Sequence, residues 1–184
     1  MYFNVVIAGF GGQGVLLTGK VLVQAAMYEG KYVTWLPSYG PEMRGGTANC
    51  TVVISDEEIG SPITGNPMNA IILSLPSKDK FESLVKPGGV ILFNSSLIEE
   101  PPKRNDVTNL CIPLNQIADE LGQPRSLNIV SLGSFIERTK ILSHDSLRKS
   151  IEEAFNKKVE FIDVNKKAYD LGINAVQNCT VLSK

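Results

Sequence analysis

The chain has 184 residues, of which 43% are hydrophobic and 20% are charged, and its formal net charge is −1. This composition excludes a disordered chain, because there is enough apolar surface to offset chain entropy, and a charge near zero without long basic runs argues against a nucleic-acid-binding protein. The apolar runs are far shorter than the roughly 20 residues of a membrane span and the N-terminus has no signal-peptide pattern, so we expect a cytoplasmic protein.

The first elements of the chain form a β-α-β pattern. Phe3–Ala8 is a continuous apolar run with β-branched residues, which is typical of a buried parallel strand. Apolar residues at helical spacing predict a helix over Gln13–Glu29. Lys31–Leu36 is then a second strand, and we expect Pro37 to end it.

The remaining elements suggest an antiparallel insertion followed by further β/α units. A Thr- and Val-rich stretch and the turn after it predict an antiparallel hairpin over residues 47–60. Strands are expected at Ala70–Leu75, Gly89–Phe93 and Val107–Ile112. Helices are expected at Lys78–Val85, Pro113–Leu121, Asn128–Arg138 and His144–Phe155. We expect Asp163 to cap a last helix, which carries Val164, Ala168, Leu171 and Ala175 on one face. We predict one α/β domain over residues 1–184, with a Rossmann-like, mainly parallel sheet, an antiparallel hairpin insertion and flanking helices.

A glycine-rich loop joins the first strand to the first helix. Its sequence satisfies G-x-G-x-x-G, a pattern that lets backbone turn tightly and approach a pyrophosphate at a helix N-terminus. The acid that a dinucleotide site needs at the end of the second strand is missing. The open alternatives are nicotinamide or flavin binding, contact with another ligand or cofactor edge, and structural packing or subunit docking. The candidate anion-binding or cofactor-binding residues are Gly9, Gly11, Gly12, Gln13 and Gly14.

A second loop, residues 37–46, contains two prolines and three glycines. It follows the carboxyl end of the second strand, where open α/β sheets place ligands, so we expect it at the same edge of the sheet as the glycine loop. In the simplest structural interpretation, Glu42 and Arg44 of this loop form a surface ion pair with each other. The functional interpretation is a substrate or subunit interface formed by Tyr39, Glu42, Met43, Arg44, Gly45 and Gly46.

No residue pattern in this chain predicts catalysis or metal binding. Cys50, Cys111 and Cys179 are far apart without a C-x-x-C spacing, and we expect Cys50 to be a small core residue. The single histidine, His144, is expected to be solvated at the start of a helix. Because no nucleophile–base pair is visible either, we assign no catalytic residue and no metal ligand.

The two loops, taken together and in this order, resemble those of a known family. The runs Gly9–Val15 and Ser38–Gly46 are similar to the gamma subunit of 2-oxoacid:ferredoxin (acceptor) oxidoreductases, the pyruvate/ketoisovalerate oxidoreductase gamma family. The stretch Asn165–Gly172 resembles that family's closing N-x-x-A-x-x-x-G, so the resemblance covers nearly the whole chain. The Tyr-Gly-Pro-Glu sequence is most similar to the 2-oxoglutarate-type enzymes.

The resemblance implies one subunit of a larger enzyme, inactive on its own. That enzyme would convert a 2-oxoacid, expected to be 2-oxoglutarate, and coenzyme A to acyl-CoA and carbon dioxide, and would reduce ferredoxin or another acceptor. Alpha, beta and ferredoxin-like delta subunits would carry thiamine diphosphate, magnesium and iron–sulfur clusters, leaving none in this chain. The alternatives are the beta-type subunit of an indolepyruvate oxidoreductase, a subunit whose loops only dock partners, and a freestanding nucleotide-binding, NAD-linked protein.

Overall fold

The computed structural model describes residues 1–39 and 46–177 of the chain. These ranges contain six strands and six α-helices, and short 3-10 turns precede or follow several of the helices. The strands are β1 (Tyr2–Phe10), β2 (Tyr32–Tyr39), β3 (Thr47–Ser55), β4 (Asn69–Ile72), β5 (Val90–Asn94) and β6 (Thr108–Ile112). The helices are α1 (Val15–Tyr28), α2 (Leu75–Phe81), α3 (Leu114–Glu120), α4 (Leu127–Thr139), α5 (His144–Ala154) and α6 (Ile162–Gln177).

The strands form a single sheet in the order β2-β3-β1-β4-β5-β6. β1, β4, β5 and β6 pair in parallel, whereas β3 is antiparallel to both β1 and β2. The predicted α/β class and antiparallel hairpin are therefore confirmed. The location predicted for the hairpin, residues 47–60, is wrong: its arms are β2 and β3, and no strand follows β3 before β4.

β2 continues through Pro37 instead of ending there, and it pairs with β3 as far as Tyr39 opposite Ala48. The prediction that this proline ends the strand is wrong because β2 is the edge of the sheet. An edge strand has one side without ladder hydrogen bonds, and a residue without an N–H is tolerated there. The second loop is consequently shorter than the sequence suggests.

Apolar side chains from alternate positions of the strands form a core on each face of the sheet. On one face, Val5 and Ile7 of β1 pack with α1 and with the α4 residue Phe135. On the other face, Val6 packs with Phe93 in a smaller cluster that α2 and the segment after it cover. Among the described residues, no helix is long and apolar enough to cross a membrane.

Helices α4 and α6 approach each other closely through two glycines. A Cβ atom at Gly133 would lie 2.1 Å from the carbonyl oxygen of Tyr169, and one at Gly172 would lie 2.1 Å from the carbonyl oxygen of Val130. The buried face of α6 accordingly follows Asn165, Ala168, Tyr169 and Gly172, one position away from most of the predicted face. Asp163 lies inside the first turn of α6 rather than capping it, because the helix begins at Ile162.

Candidate functional site

The glycine loop, residues 9–14, leads from the end of β1 into α1. Gly12 and Gly14 have φ angles of 98° and 76°, in the left-handed region that side chains with a Cβ rarely adopt. Gly14 is also the N-cap of α1, and a Cβ there would lie 2.6 Å from the side chain of Asn128. The glycines therefore shape the backbone, and the loop keeps its amides at the N-terminus of a 14-residue helix.

The described end of the second loop, at Gly46, lies at the same edge of the sheet as the glycine loop. β1 ends opposite the start of β3, with Phe10 facing Thr47 in the register. The amide nitrogen of Gly11 donates a hydrogen bond of 2.9 Å to the carbonyl oxygen of Gly46. Gly46 is thus joined directly to the glycine loop. Gly40, Pro41, Glu42, Met43, Arg44 and Gly45 lie outside the described residues, and the roles assigned to the last four stay predictions.

A cavity of about 510 Å³ lies between the glycine loop, the first turn of α1 and the start of β3. Its walls are glycine backbone and small or apolar side chains, among them Phe10, which is 37% exposed. The remaining lining residues are Gly11, Gly12, Gly14, Val15, Leu16, Leu17, Gly46, Thr47 and Ala48. Apolar walls with backbone amides at one end suit an elongated ligand with a polar terminus.

A second cavity, of about 430 Å³, adjoins the first through Leu17, which lines both. Two cations, Arg125 and Lys158, and two half-buried rings, Phe155 and Phe161, border it. Neither cation makes an ion pair with any residue in the described ranges. We call the two cavities together the ligand groove.

The floor of the ligand groove is polar and built into the fold. Asn128, 2% exposed, lies against Gly14 and donates a long hydrogen bond of 3.5 Å to its carbonyl oxygen. Asn165 accepts a hydrogen bond of 2.9 Å from Ser126 and donates one of 2.8 Å to the carbonyl oxygen of Phe161. These contacts join the start of α4 to the glycine loop and to the start of α6, so both cavities share one base.

Sequence reasoning did not find the second cavity. Arg125 precedes α4, whereas Phe155 and Lys158 follow α5, and only the packing of three helices brings them beside the glycine loop. The sequence does show a cation, Arg125, after a proline and just before a helix, which could have indicated an anion-binding position. Nothing in the sequence connects it to residues 155–161. Tertiary packing alone defines this half of the groove.

The cysteine and histidine predictions have different outcomes. Cys50 is fully buried against α1 and its pKa is raised to about 11 by burial, so the expectation of a small core residue is confirmed. His144 is not simply solvated. Its ring nitrogens lie 2.8 Å from the hydroxyl of Tyr169 and 3.1 Å from the carboxylate of Glu137, so it joins α5 to α6 and α4.

Comparisons with known proteins place these features in context. The family model described as pyruvate ferredoxin/flavodoxin oxidoreductase matches residues 4–175. The ketoisovalerate oxidoreductase subunit VorA of Methanothermobacter marburgensis is 40% identical over 170 residues, which are 92% of this chain but 35% of the relative. The chain thus spans about a third of that protein's length.

Two further proteins match the chain along most of their own length. The 2-oxoglutarate synthase subunit KorC of Methanocaldococcus jannaschii is 40% identical over 157 residues, 84% of each chain. The crystal structure of the keto/oxoacid ferredoxin oxidoreductase gamma subunit from Geobacter sulfurreducens has a TM-score of 0.81 and 30% identity. That match covers 96% of this chain and 99% of the solved one.

Proposed function

The chain belongs to the pyruvate ferredoxin/flavodoxin oxidoreductase family as a gamma-type subunit, and we propose from this premise that it works within a complex that oxidises a 2-oxoacid with coenzyme A. The products would be acyl-CoA, carbon dioxide and a reduced ferredoxin or other acceptor. The observation that carries this proposal is the end-to-end match to a solved gamma subunit. The complex would work in the cytoplasm.

The proposed division of labour leaves the reacting centre to sister subunits. Among the described residues, no three His, Cys, Asp or Glu side chains lie together in a way that would hold a metal ion. Thiamine diphosphate with magnesium would supply the carbanion chemistry and iron–sulfur clusters would take up the electrons, all in alpha, beta and ferredoxin-like delta subunits. This chain's own residues would bind and orient one substrate at the shared edge.

We propose that this substrate is coenzyme A and that it lies in the ligand groove. Its phosphates match the unpaired cations Arg125 and Lys158, and its adenine ring matches the half-buried faces of Phe155 and Phe161. The pantetheine arm, which alternates methylene groups with two amides, would follow Leu17 toward the glycine loop, where Gly11 bonds Gly46. The chemistry of both cavities therefore fits one ligand with an anionic end and a long, uncharged arm.

The proposed 2-oxoacid is 2-oxoglutarate, because the Tyr-Gly-Pro-Glu sequence at residues 39–42 resembles the 2-oxoglutarate type. Relatives named for ketoisovalerate and for 2-oxoglutarate are equally identical to this chain, at 40% each, so overall identity does not separate the two substrates. Steady-state kinetics of the complete complex with 2-oxoglutarate, 2-ketoisovalerate and pyruvate separates them. A kcat/KM that is highest for 2-ketoisovalerate would contradict the proposed substrate.

Coenzyme A binding by the complete complex tests the ligand groove. We expect the double substitution Arg125→Ala and Lys158→Ala to weaken binding by roughly 10- to 100-fold, because two charge-assisted contacts to phosphate are lost. Lys157→Ala is the matched control, since Lys157 is an exposed neighbour that does not line the groove. Equal weakening by the control, or none by the double variant, would place the phosphates elsewhere. Tight NAD(H) binding instead would favour the freestanding dinucleotide-binding alternative.

A further inference from the structure

The connectivity of the sheet creates a crevice between β1 and β4. β1 leads through α1 toward β2 at one edge, whereas its parallel neighbour β4 leads through α2 to β5 on the other side. α1 and α2 cover opposite faces of the sheet. In sheets whose connections diverge in this way, ligands bind in the crevice beyond the carboxyl ends of the two diverging strands.

The side chain of Gln13 occupies this crevice. Its Oε1 accepts a hydrogen bond of 2.6 Å from the amide nitrogen of Phe10 at the end of β1. Its Nε2 donates a hydrogen bond of 3.1 Å to the carbonyl oxygen of Leu73 just after β4. A Cβ at Gly9 would lie 2.5 Å from Oε1 of Gln13 and 2.9 Å from Cβ of Leu73, so not even a methyl group fits beside it.

The carbonyl group that anchors Gln13 is itself held in place. It also lies 3.4 Å from Nδ2 of Asn94, a fully buried residue at the end of β5. Asn94 donates a hydrogen bond of 2.8 Å to Oδ1 of Asn115 and accepts one of 3.2 Å from the amide of Leu114. A series of carboxamides therefore connects the glycine loop to the start of α3, and none of these groups changes charge with pH.

We propose that Gln13 is a positioning residue that closes the crevice between β1 and β4 and fixes the glycine loop so that ligand approaches from the β3 side. This inference rests on the proposed function for its consequence, coenzyme A binding, but not for its geometry. Neither Gln13 nor Leu73 lines the cavity beside the loop, whereas Gly11, Gly12 and Gly46 do. Gln13 accordingly acts through the loop rather than by touching the ligand.

Hydrogen exchange of the full chain tests the geometry. Gln13→Met keeps the length of the side chain but removes both hydrogen bonds, and we expect exchange at the Phe10 amide to become about tenfold faster or more. Gln13→Glu keeps an acceptor for Phe10 but cannot donate to Leu73, so its exchange rate should fall between those of the wild type and Gln13→Met. Gln116→Met is the matched control, because Gln116 is exposed on α3 and its side chain bonds Glu120.

Kinetics of the complete complex tests the consequence. We expect Gln13→Met to raise the KM for coenzyme A by about fivefold or more while kcat changes by less than about twofold. The KM of Gln13→Glu should lie between those of the wild type and Gln13→Met. Unchanged exchange at Phe10 overturns the proposal, and so does faster exchange with an unchanged KM, which would leave Gln13 a purely structural contact. If turnover by the wild-type complex does not depend on coenzyme A, the proposed function fails while the exchange result still decides the geometry.

Discussion

Lys78 shows how a single buried charge can organise a loop. The side chain is fully buried, and its Nζ donates hydrogen bonds of 3.1 and 2.9 Å to the carbonyl oxygens of Glu100 and Pro101. The Glu100 carboxylate lies 3.4 Å away. Burying an ammonium group is costly unless such partners surround it, so this lysine binds the proline-containing segment after β5 to α2. That segment is a surface loop, but an anchored one.

Asp56 allows a pH prediction at the scale of one residue. Hydrogen bonds from Lys31 and from the amino group of Met1 lower its pKa from 3.8 to about 2. Because the folded-state pKa is below the unfolded one, the stabilisation is present above pH 3.8 and is lost as the pH falls toward about 2. We therefore expect the free energy of unfolding, measured by urea denaturation, to fall less steeply with decreasing pH in Asp56→Asn than in the wild type across this window.

The control for Asp56 is Asp79→Asn, since Asp79 is exposed and makes no ion pair with a described residue. This control should keep the wild-type slope. Added salt should reduce the difference between wild type and Asp56→Asn, because exposed charges are screened within roughly 10 Å at 0.1 M salt. Identical acid slopes for the wild type and Asp56→Asn would show that the contact adds nothing to folding stability.

At the scale of elements, small and polar residues fasten helix α6 to the domain alongside the fully buried ring of Tyr169. Asn165 bonds Ser126, Ala168 is fully buried, and Gly172 lets the backbone of α4 approach. Ser134 of α4 also donates a hydrogen bond of 2.8 Å to the carbonyl oxygen of Gly172. The N-x-x-A-x-x-x-G run therefore has a packing explanation that applies independently of any ligand.

Gly172→Ala tests this packing. A Cβ at this position would lie 2.1 Å from the Val130 carbonyl oxygen and 2.9 Å from the Ser134 amide, so the helices must separate. We expect the free energy of unfolding to fall by about 1–3 kcal/mol, despite the higher helix propensity of alanine. Gly65→Ala is the control, because no atom lies within 4 Å of its added Cβ. A variant as stable as the wild type would mean that α6 is not packed tightly through Gly172.

The elements that the sequence predicts well are those set by local patterns. The apolar run of β1, the glycines before α1 and the helical spacing of α5 identify those elements within a few residues. The Thr- and Val-rich pattern also locates β3, but its hairpin partner depends on pairing Ser55 with Tyr2 and with Tyr32, and no local pattern encodes such distant partners. The same limit explains why the glycine loop was found and the cations of the second cavity were not.

At the scale of the whole molecule, the described features gather at one edge of the sheet. The glycine loop, Gly46 and the ligand groove all lie there. The exposed apolar residue Phe10 ends β1, and Leu75 and Leu97 follow the carboxyl ends of β4 and β5. Half-exposed apolar residues beside a ligand groove suit contact with another subunit. Under the proposed division of labour, this edge would meet the subunits that supply the reacting groups.

Substitution of Arg44 tests whether this edge contacts another subunit or a substrate. β2 ends at Tyr39 and β3 begins at Thr47, beside the cavity, and Arg44 is the one cation in the sequence between them. A guanidinium group can bind a carboxylate or phosphate with two parallel N–H donors, which an ammonium group cannot reproduce. We expect Arg44→Lys in the complete complex to cost about 1–3 kcal/mol in kcat/KM or in assembly. Arg138→Lys is the control, because Arg138 bonds Thr108 at the opposite edge of the sheet. Unchanged assembly and kinetics in Arg44→Lys would leave Arg44 as a surface charge without a role at the interface.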